Sequence, residues 1–305
     1  MEQQQHENYY VPEQSKLPLF ASIGLFVTVF GLGNWLNDMT AGKSGSGATI
    51  FGVGLLFFCF ILFRWFSIVI DENRRGMNSA QLKRSYVWGM GWFIFSEVMF
   101  FSAFFGALYY IRNLALPWLS EGPTAELLWN DFQAQWPLMQ TPSDAAELGK
   151  VSGPGENMAF PGFGAAMFEW LPLWNTIILL SSSVTVHFAH TGLKKDNKKQ
   201  FNWLLGITVL LGIIFLVLQF KEYEHAYHVN LTLDAGVYGN TFFMLTGFHG
   251  LHVTMGTFML LVQWLRSVTK GHFSHNDCFG FEASSWYWHF VDVVWVGLFI
   301  FVYIM

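Results

Sequence analysis

Three groups of side chains in this 305-residue sequence stand where polar chemistry is unusual. The first is Glu97, in Phe95-Ser96-Glu97-Val98-Met99-Phe100-Phe101, the only charge between Ser85 and Ile111. A carboxylate surrounded by apolar residues at bilayer depth costs several kcal/mol, so Glu97 is expected to be neutral or hydrogen-bonded. It is either a proton-handling or regulatory carboxyl or a buried polar group that fixes helix packing. The second is the pair His289 and Asp292, in Trp288-His289-Phe290-Val291-Asp292-Val293-Val294-Trp295. Spaced three apart, they share one helical face and can bond to each other or to a neighbouring helix. A proton relay is one reading, and a structural hydrogen bond that locks the last helix is the simpler one. The third is a set of histidines at i, i+3: His187 with His190, His225 with His228, His249 with His252. Such spacing can offer two imidazoles to one metal, yet no third ligand accompanies any pair. A haem would need histidines facing each other across helices, for which His249 with His190 or His289 stays open. The histidines read as hydrogen-bonded packing residues or headgroup contacts, and the chain is expected to bind neither metal nor haem.

Basic residues form a fourth feature. Arg266, Lys270 and His272 follow one apolar run, and Arg64, Arg74 and Arg75 lie near the end of another. They are candidates to hold anionic lipid headgroups, against the plainer reading that they only set topology. Cys59 lies in an apolar run and Cys278 in a distant polar stretch, which gives neither a disulfide framework nor a zinc spacing. No phosphate-binding glycine loop, dinucleotide fingerprint or serine-nucleophile elbow is present, so the chain offers no catalytic constellation of its own.

The elements that must position these residues follow from composition. With 53% hydrophobic, 19% aromatic and 12% charged residues, the chain departs from the soluble balance, in which about a quarter is charged. The net charge of -5 and scattered basic residues argue against a nucleic-acid partner. Seven apolar segments are long enough to cross a hydrocarbon layer of about 30 Å as helices: 17–37, 49–70, 85–111, 170–193, 201–220, 235–265 and 283–305. Arg64 alone interrupts the second and can snorkel from near its end. Glu2, Glu7 and Glu13 ahead of Lys16 argue against a cleavable signal peptide. With the N-terminus inside, the inner connections take 12 of the 16 Lys and Arg residues and the outer ones keep Lys43, Arg112, Lys150 and Lys221. That asymmetry predicts a cytoplasmic N-terminus and a periplasmic C-terminus. The acidic connection 113–169, carrying Glu121, Glu126, Asp131, Asp144, Glu147, Glu156 and Glu169, is then outside, with a short helix expected near 126–135. In-helix glycines such as Gly24, Gly31, Gly212 and Gly247 let helix backbones approach closely, so a packed bundle is expected.

Several segments together resemble one family. They are Phe95-Ser96-Glu97-Val98-Met99-Phe100-Phe101, Gly247-Phe248-His249-Gly250-Leu251-His252-Val253, Phe279-Gly280-Phe281-Glu282-Ala283 and Trp286-Tyr287-Trp288-His289-Phe290-Val291-Asp292-Val293-Val294-Trp295. Gly236-Val237-Tyr238-Gly239-Asn240-Thr241-Phe242-Phe243 and Leu171-Pro172-Leu173-Trp174-Asn175-Thr176 agree with them. From about residue 17 onward the chain resembles subunit III of the haem-copper cytochrome c oxidases. The resemblance implies an all-α, seven-helix subunit without haem or copper. It implies a cytoplasmic tail at 1–16, a two-helix bundle at 17–70, a connection at 71–84 and a five-helix bundle at 85–305, with phospholipid in a V-shaped cleft. It further implies that the partners are subunits I and II, which carry the haems and copper. The complex would oxidise cytochrome c, reduce oxygen to water and pump protons. Subunit III would support assembly, proton uptake into subunit I and stability during turnover, and the family's intramembrane carboxyl maps onto Glu97. The connection 113–169 looks longer than is usual, which favours a bacterial inner membrane over a mitochondrial one. Seven helices favour cytochrome c over quinol as donor. Two other readings compete: a stand-alone secondary transporter or proton-coupled channel using Glu97, Asp292 and the membrane histidines, and a haem-binding electron carrier using the histidine pairs.

Overall fold

The computed structural model describes residues 14–129, 132–142, 153–274 and 277–305. The acidic residues Glu2, Glu7, Glu13, Asp131, Asp144 and Glu147, and the basic Lys150, lie outside the described residues. The protein is all-α, with no strand among the described residues beyond an isolated bridge between Ser274 and Asp277. Seven helices are long and apolar enough to cross a membrane. They are α1 (Leu17–Thr40), α2 (Gly47–Arg74), α3 (Ala80–Tyr110), α4 (Leu171–Lys194), α5 (Lys198–His228), α6 (Val237–Lys270) and α7 (Phe279–Leu298). By contacts the chain divides into two compact units, Met1–Gly89 and Met90–Met305.

In the first unit α1 and α2 form an antiparallel hairpin around a short polar turn, where the Gly47 N–H donates to Asp38 Oδ2 at 3.2 Å. Glycines on each helix recur at seven residues, Gly24 with Gly31 and Gly47 with Gly54. A Cβ at Gly31 would overlap the Phe51 backbone, and one at Gly54 would stand 2.7 Å from the Thr28 nitrogen. The hairpin therefore closes backbone to backbone, the mode of association left to helices that lipid does not push together.

The second unit holds the part of α3 that follows Gly89 together with α4 to α7. Its central element is α7, which buries Trp288 and Trp295 completely and packs against both α4 and α6. Space for Trp288 exists because residues 212 and 256 are glycines: a Cβ at either would approach its ring to 2.8 Å. α3 continues past Tyr110 through a π-helical turn, Ile111–Ala115, into Leu116–Ser120. α6 has 34 residues, about 51 Å of helix, and so exceeds the hydrocarbon thickness.

Several boundaries differ from the sequence expectation. α5 does not stop with its apolar run at Phe220 but continues to His228, because Lys221-Glu222-Tyr223-Glu224 are helix-compatible and hydropathy marks the lipid layer, not the helix end. The short helix expected at 126–135 lies at Pro123–Leu128, with Pro123 in its first turn and Trp129 already out of helical geometry. The described part of 113–169 is packed onto the unit: Phe132, Leu138 and Met158 are buried, and the Phe160 N–H donates to the Tyr303 carbonyl at 2.8 Å. Arg112 donates to the Phe301 and Met305 carbonyls at 3.2 and 2.6 Å and lies over the Trp136 ring.

Candidate functional site

Glu97 faces α6. Its Oε2 stands 2.9 Å from His252 Nε2, and Ser96 Oγ donates weakly to its Oε1 at 3.5 Å. The other ring nitrogen, His252 Nδ1, is 2.6 Å from the Phe248 carbonyl. A carbonyl can only accept, so Nδ1 carries a hydrogen. The contact with Glu97 then requires one more proton, held either by the carboxyl as O–H to a neutral imidazole or by the ring as N–H to a carboxylate. The pair thus shares one proton. Phe100, Phe101, Tyr287 and Phe290 ring His252, with the Phe101 centroid 4.9 Å away. Sequence spacing had grouped His252 with His249, but they serve different partners. His249 is 1% exposed, donates from Nε2 to the Val291 carbonyl at 3.1 Å and lies against Trp295.

His289 and Asp292 do share a face, but their closest approach is 3.8 Å, while His289 Nδ1 shares a 2.7 Å hydrogen bond with Ser183 Oγ of α4. Asp292 is 3% exposed, and neither carboxyl oxygen has a hydrogen-bond partner among the described residues. The Ser183 contact is one of four between α4 and α7. Trp288 Nε1 donates to Ser182 Oγ and Trp295 Nε1 to Thr176 Oγ1, each at 2.9 Å, and His190 Nε2 meets Glu282 Oε1 at 3.0 Å. The Ser182 and Ser183 hydroxyls of α4 thus meet the Trp288 indole and the His289 imidazole of α7.

A buried polar group went unread in the sequence because hydropathy ended the fifth span at Phe220. Glu222 is 2% exposed and accepts from Gln219 Nε2 at 3.0 Å, while Gln219 Oε1 accepts from Asn175 Nδ2 at 3.4 Å. Tyr303 is buried beside them. The i, i+3 spacing of Gln219 and Glu222 within an unbroken helical stretch was the available signal.

Of the basic candidates, Arg266 donates to Gln263 Oε1 at 2.8 Å and lies over the Phe273 ring, Lys270 is exposed in the last turn of α6, His272 is partly buried just beyond it, and Arg64 is exposed on α2. Among the described residues no group of three His, Cys, Asp or Glu side chains is gathered closely enough for a metal ion. Cys278 lies between spans, where burial and the nearby Glu282 push its thiol up to about 11, so it is protonated and poorly nucleophilic at neutral pH.

The α4–α7 contacts give a quantitative expectation. Trp288→Phe keeps most of the ring but removes the donor to Ser182, and unfolding in SDS should show a loss of roughly 0.6–1.7 kcal/mol, the range of interhelical hydrogen bonds in membranes. Trp288→Phe in a Ser182→Ala background should cost distinctly less; equal costs in both backgrounds would show that this bond contributes nothing.

The sequence model for the family described as "Cytochrome c oxidase subunit III" matches residues 6–122 and 146–305. The unmatched stretch, 123–145, falls inside the long connection. Curated relatives agree over nearly full length. "Cytochrome c oxidase subunit 3" of Drosophila melanogaster is 38% identical over 98% of this chain and 97% of its own. The protein of the same name from Anopheles gambiae is 37% identical over 97% and 95%, and that from Loxodonta africana 36% over 97% and 96%. With seven apolar helices, a family match over residues 6–122 and 146–305, and relatives 36–38% identical over at least 97% of this chain, the chain belongs to the cytochrome c oxidase subunit III family.

Proposed function

We propose that this chain is the redox-inert membrane subunit of a complex in which subunits I and II carry haem and copper and take electrons from cytochrome c. Its task there is to support assembly, proton uptake into subunit I and durability during turnover. The observation that carries this reading is the closure of Glu97 on His252. The carboxyl meets a polar partner on a neighbouring helix of its own chain, as suits a group that holds α3 to α6. A stand-alone transporter would need Glu97 and Asp292 to open toward a common path, whereas Glu97 meets His252 on α6 and Asp292 is buried on α7. An affinity tag placed before residue 1 should bring down haem-bearing partners and cytochrome c oxidase activity from gently solubilised membranes. In that assembled enzyme, Glu97→Gln should retain most of the turnover, since an amide still donates to or accepts from His252. Loss of turnover at full assembly would assign Glu97 to the proton path.

Arg266, Lys270 and His272 are proposed to hold an anionic phospholipid headgroup at one end of α6, with Arg64 a separate lipid contact on α2. The Arg266 guanidinium lies over the Phe273 ring, and Arg266, Lys270 and His272 fall within seven residues at the end of α6, a basic cluster of the kind that suits an anionic headgroup. The Arg266→Ala, Lys270→Ala double variant should co-purify with less anionic lipid and lose activity in fewer turnovers. Unchanged lipid content and unchanged turnover lifetime would remove the assignment.

The membrane is proposed to be a bacterial inner membrane, with the N-terminus cytoplasmic and the C-terminus periplasmic. The support is the concentration of 12 of 16 Lys and Arg residues on one side of the seven spans. A phosphatase that is active only in the periplasm should work when fused after Met305 and fail when fused after Arg75. The reverse pattern would invert the topology.

A further inference from the structure

Near the start of α4 and just beyond the end of α7, the second unit encloses four polar side chains: Asn175 of α4, Gln219 and Glu222 of α5, and Tyr303 of the π-helical turn Phe299–Ile304. They are 0%, 4%, 2% and 1% exposed. Their hydrogen-bond directions follow from the carboxylate, which only accepts, so Gln219 turns Nε2 to Glu222 Oε2 at 3.0 Å. Gln219 Oε1 is then free to accept from Asn175 Nδ2 at 3.4 Å, which leaves Asn175 Oδ1 as a further acceptor. The count ends with oxygens in excess. Among the described residues no donor reaches Glu222 Oε1 or Asn175 Oδ1, and the Tyr303 hydroxyl, beside Gln219 and Glu222, closes a well-formed hydrogen bond on neither.

Charge is unbalanced in the same place. No Lys, Arg or His side chain pairs with Glu222 among the described residues. Lys221 is exposed, and His225, one turn further along α5, stands 3.7 Å from Glu156 instead. A carboxylate taken out of water needs a counter-charge or a full set of donors, and the protein supplies one donor. The described part of the long connection is fastened beside this cluster: the Phe160 N–H donates to the Tyr303 carbonyl at 2.8 Å, the Met158 N–H to the Tyr238 hydroxyl at 3.0 Å and the Gly155 N–H to the Val229 carbonyl at 2.7 Å.

We propose that Glu222, Asn175 and Tyr303 supply the ligand oxygens of a buried alkali-metal cation site that ties α4, α5 and the last turn together. The donor set is carboxylate, amide and phenol oxygen, which suits a hard cation, and it holds no thiolate or imidazole to favour a transition metal. A single positive charge balances the one carboxylate, whereas a divalent ion would leave a net charge in the interior. The histidine pairs, which spacing alone brings to mind for metal binding, take no part. The site goes beyond the oxidase reading and does not depend on it.

The test uses the chain as it is purified from native membranes, with whatever partners accompany it. Its heat unfolding is followed at constant ionic strength while sodium chloride, or potassium chloride in a second series, replaces choline chloride, whose cation is too large for the site. An ion held only by the folded chain raises the unfolding midpoint with the logarithm of its concentration above Kd. At least one series should therefore raise the midpoint of the unaltered chain. Glu222→Gln should abolish that rise and, in choline alone, should unfold at no lower temperature than the unaltered chain, because it removes a buried charge. Tyr303→Phe loses one ligand oxygen and should raise the half-saturating ion concentration at least tenfold, which decides the matter if Glu222→Gln does not accumulate. Midpoints indifferent to both ions, or a rise that both variants keep in full, would overturn the proposal and assign the cluster to a bound water or to a proton on Glu222. Since heat unfolding and not oxidase activity is read, failure here leaves the family reading of function standing.

Discussion

In lipid, two apolar helices gain little by leaving the hydrocarbon for each other, so the second unit depends on interactions that hydrocarbon cannot imitate. Those are the polar ties that α7 makes with α4. Trp288, His289 and Trp295 each direct a ring nitrogen at a hydroxyl of α4, and Glu282 meets His190 nearer the helix end. Each is modest singly. Together they fix the rotation and the register of α7, because a slip of one residue would break all of them at once. The aromatic bodies then pack: Trp288 fills the room left by Gly212 and Gly256, and Trp295 lies between Phe215 and His249.

The placement of α6 follows from that of α7. His249 is held by the Val291 carbonyl, and the next imidazole on α6, His252, is thereby turned among Tyr287 and Phe290 toward α3. Only then does Glu97 find its partner. The intramembrane carboxyl is thus the last member of a chain of dependencies that begins at the hydroxyls of α4. Phenyl rings flank the imidazole side of this contact.

Much of this was legible in the sequence. The seven spans follow from apolar length, and the charges near their ends agree with an odd number. Glu97, His289 and Asp292 stood out because each interrupts an apolar run. The pairing was not legible, since Glu97 and His252 are 155 residues apart and periodicity says nothing of which helices become neighbours. His252 was drawn to His249 by spacing, yet three residues on a helix differ by about 60°, enough for one imidazole to meet α7 and the other α3. Ser182, Ser183 and Thr176 gave no signal because small hydroxyls are common in membrane helices and usually bond their own backbone. Glu222 was missed for a different reason: hydropathy locates the edge of the lipid, and α5 runs two turns beyond it.

The bond between Glu97 and His252 has an electrical consequence. Its proton can cross from carboxyl to imidazole without altering the charge of the pair, so the transfer changes only a dipole. A shift of about 1 Å is roughly one thirtieth of the hydrocarbon thickness, and a full crossing couples to 100 mV by about 2.3 kcal/mol. The transfer therefore couples to such a voltage by less than about 0.1 kcal/mol, well below thermal energy. Energising the membrane leaves this contact as it is, and α3 stays fastened to α6 whether the respiratory chain is idle or running.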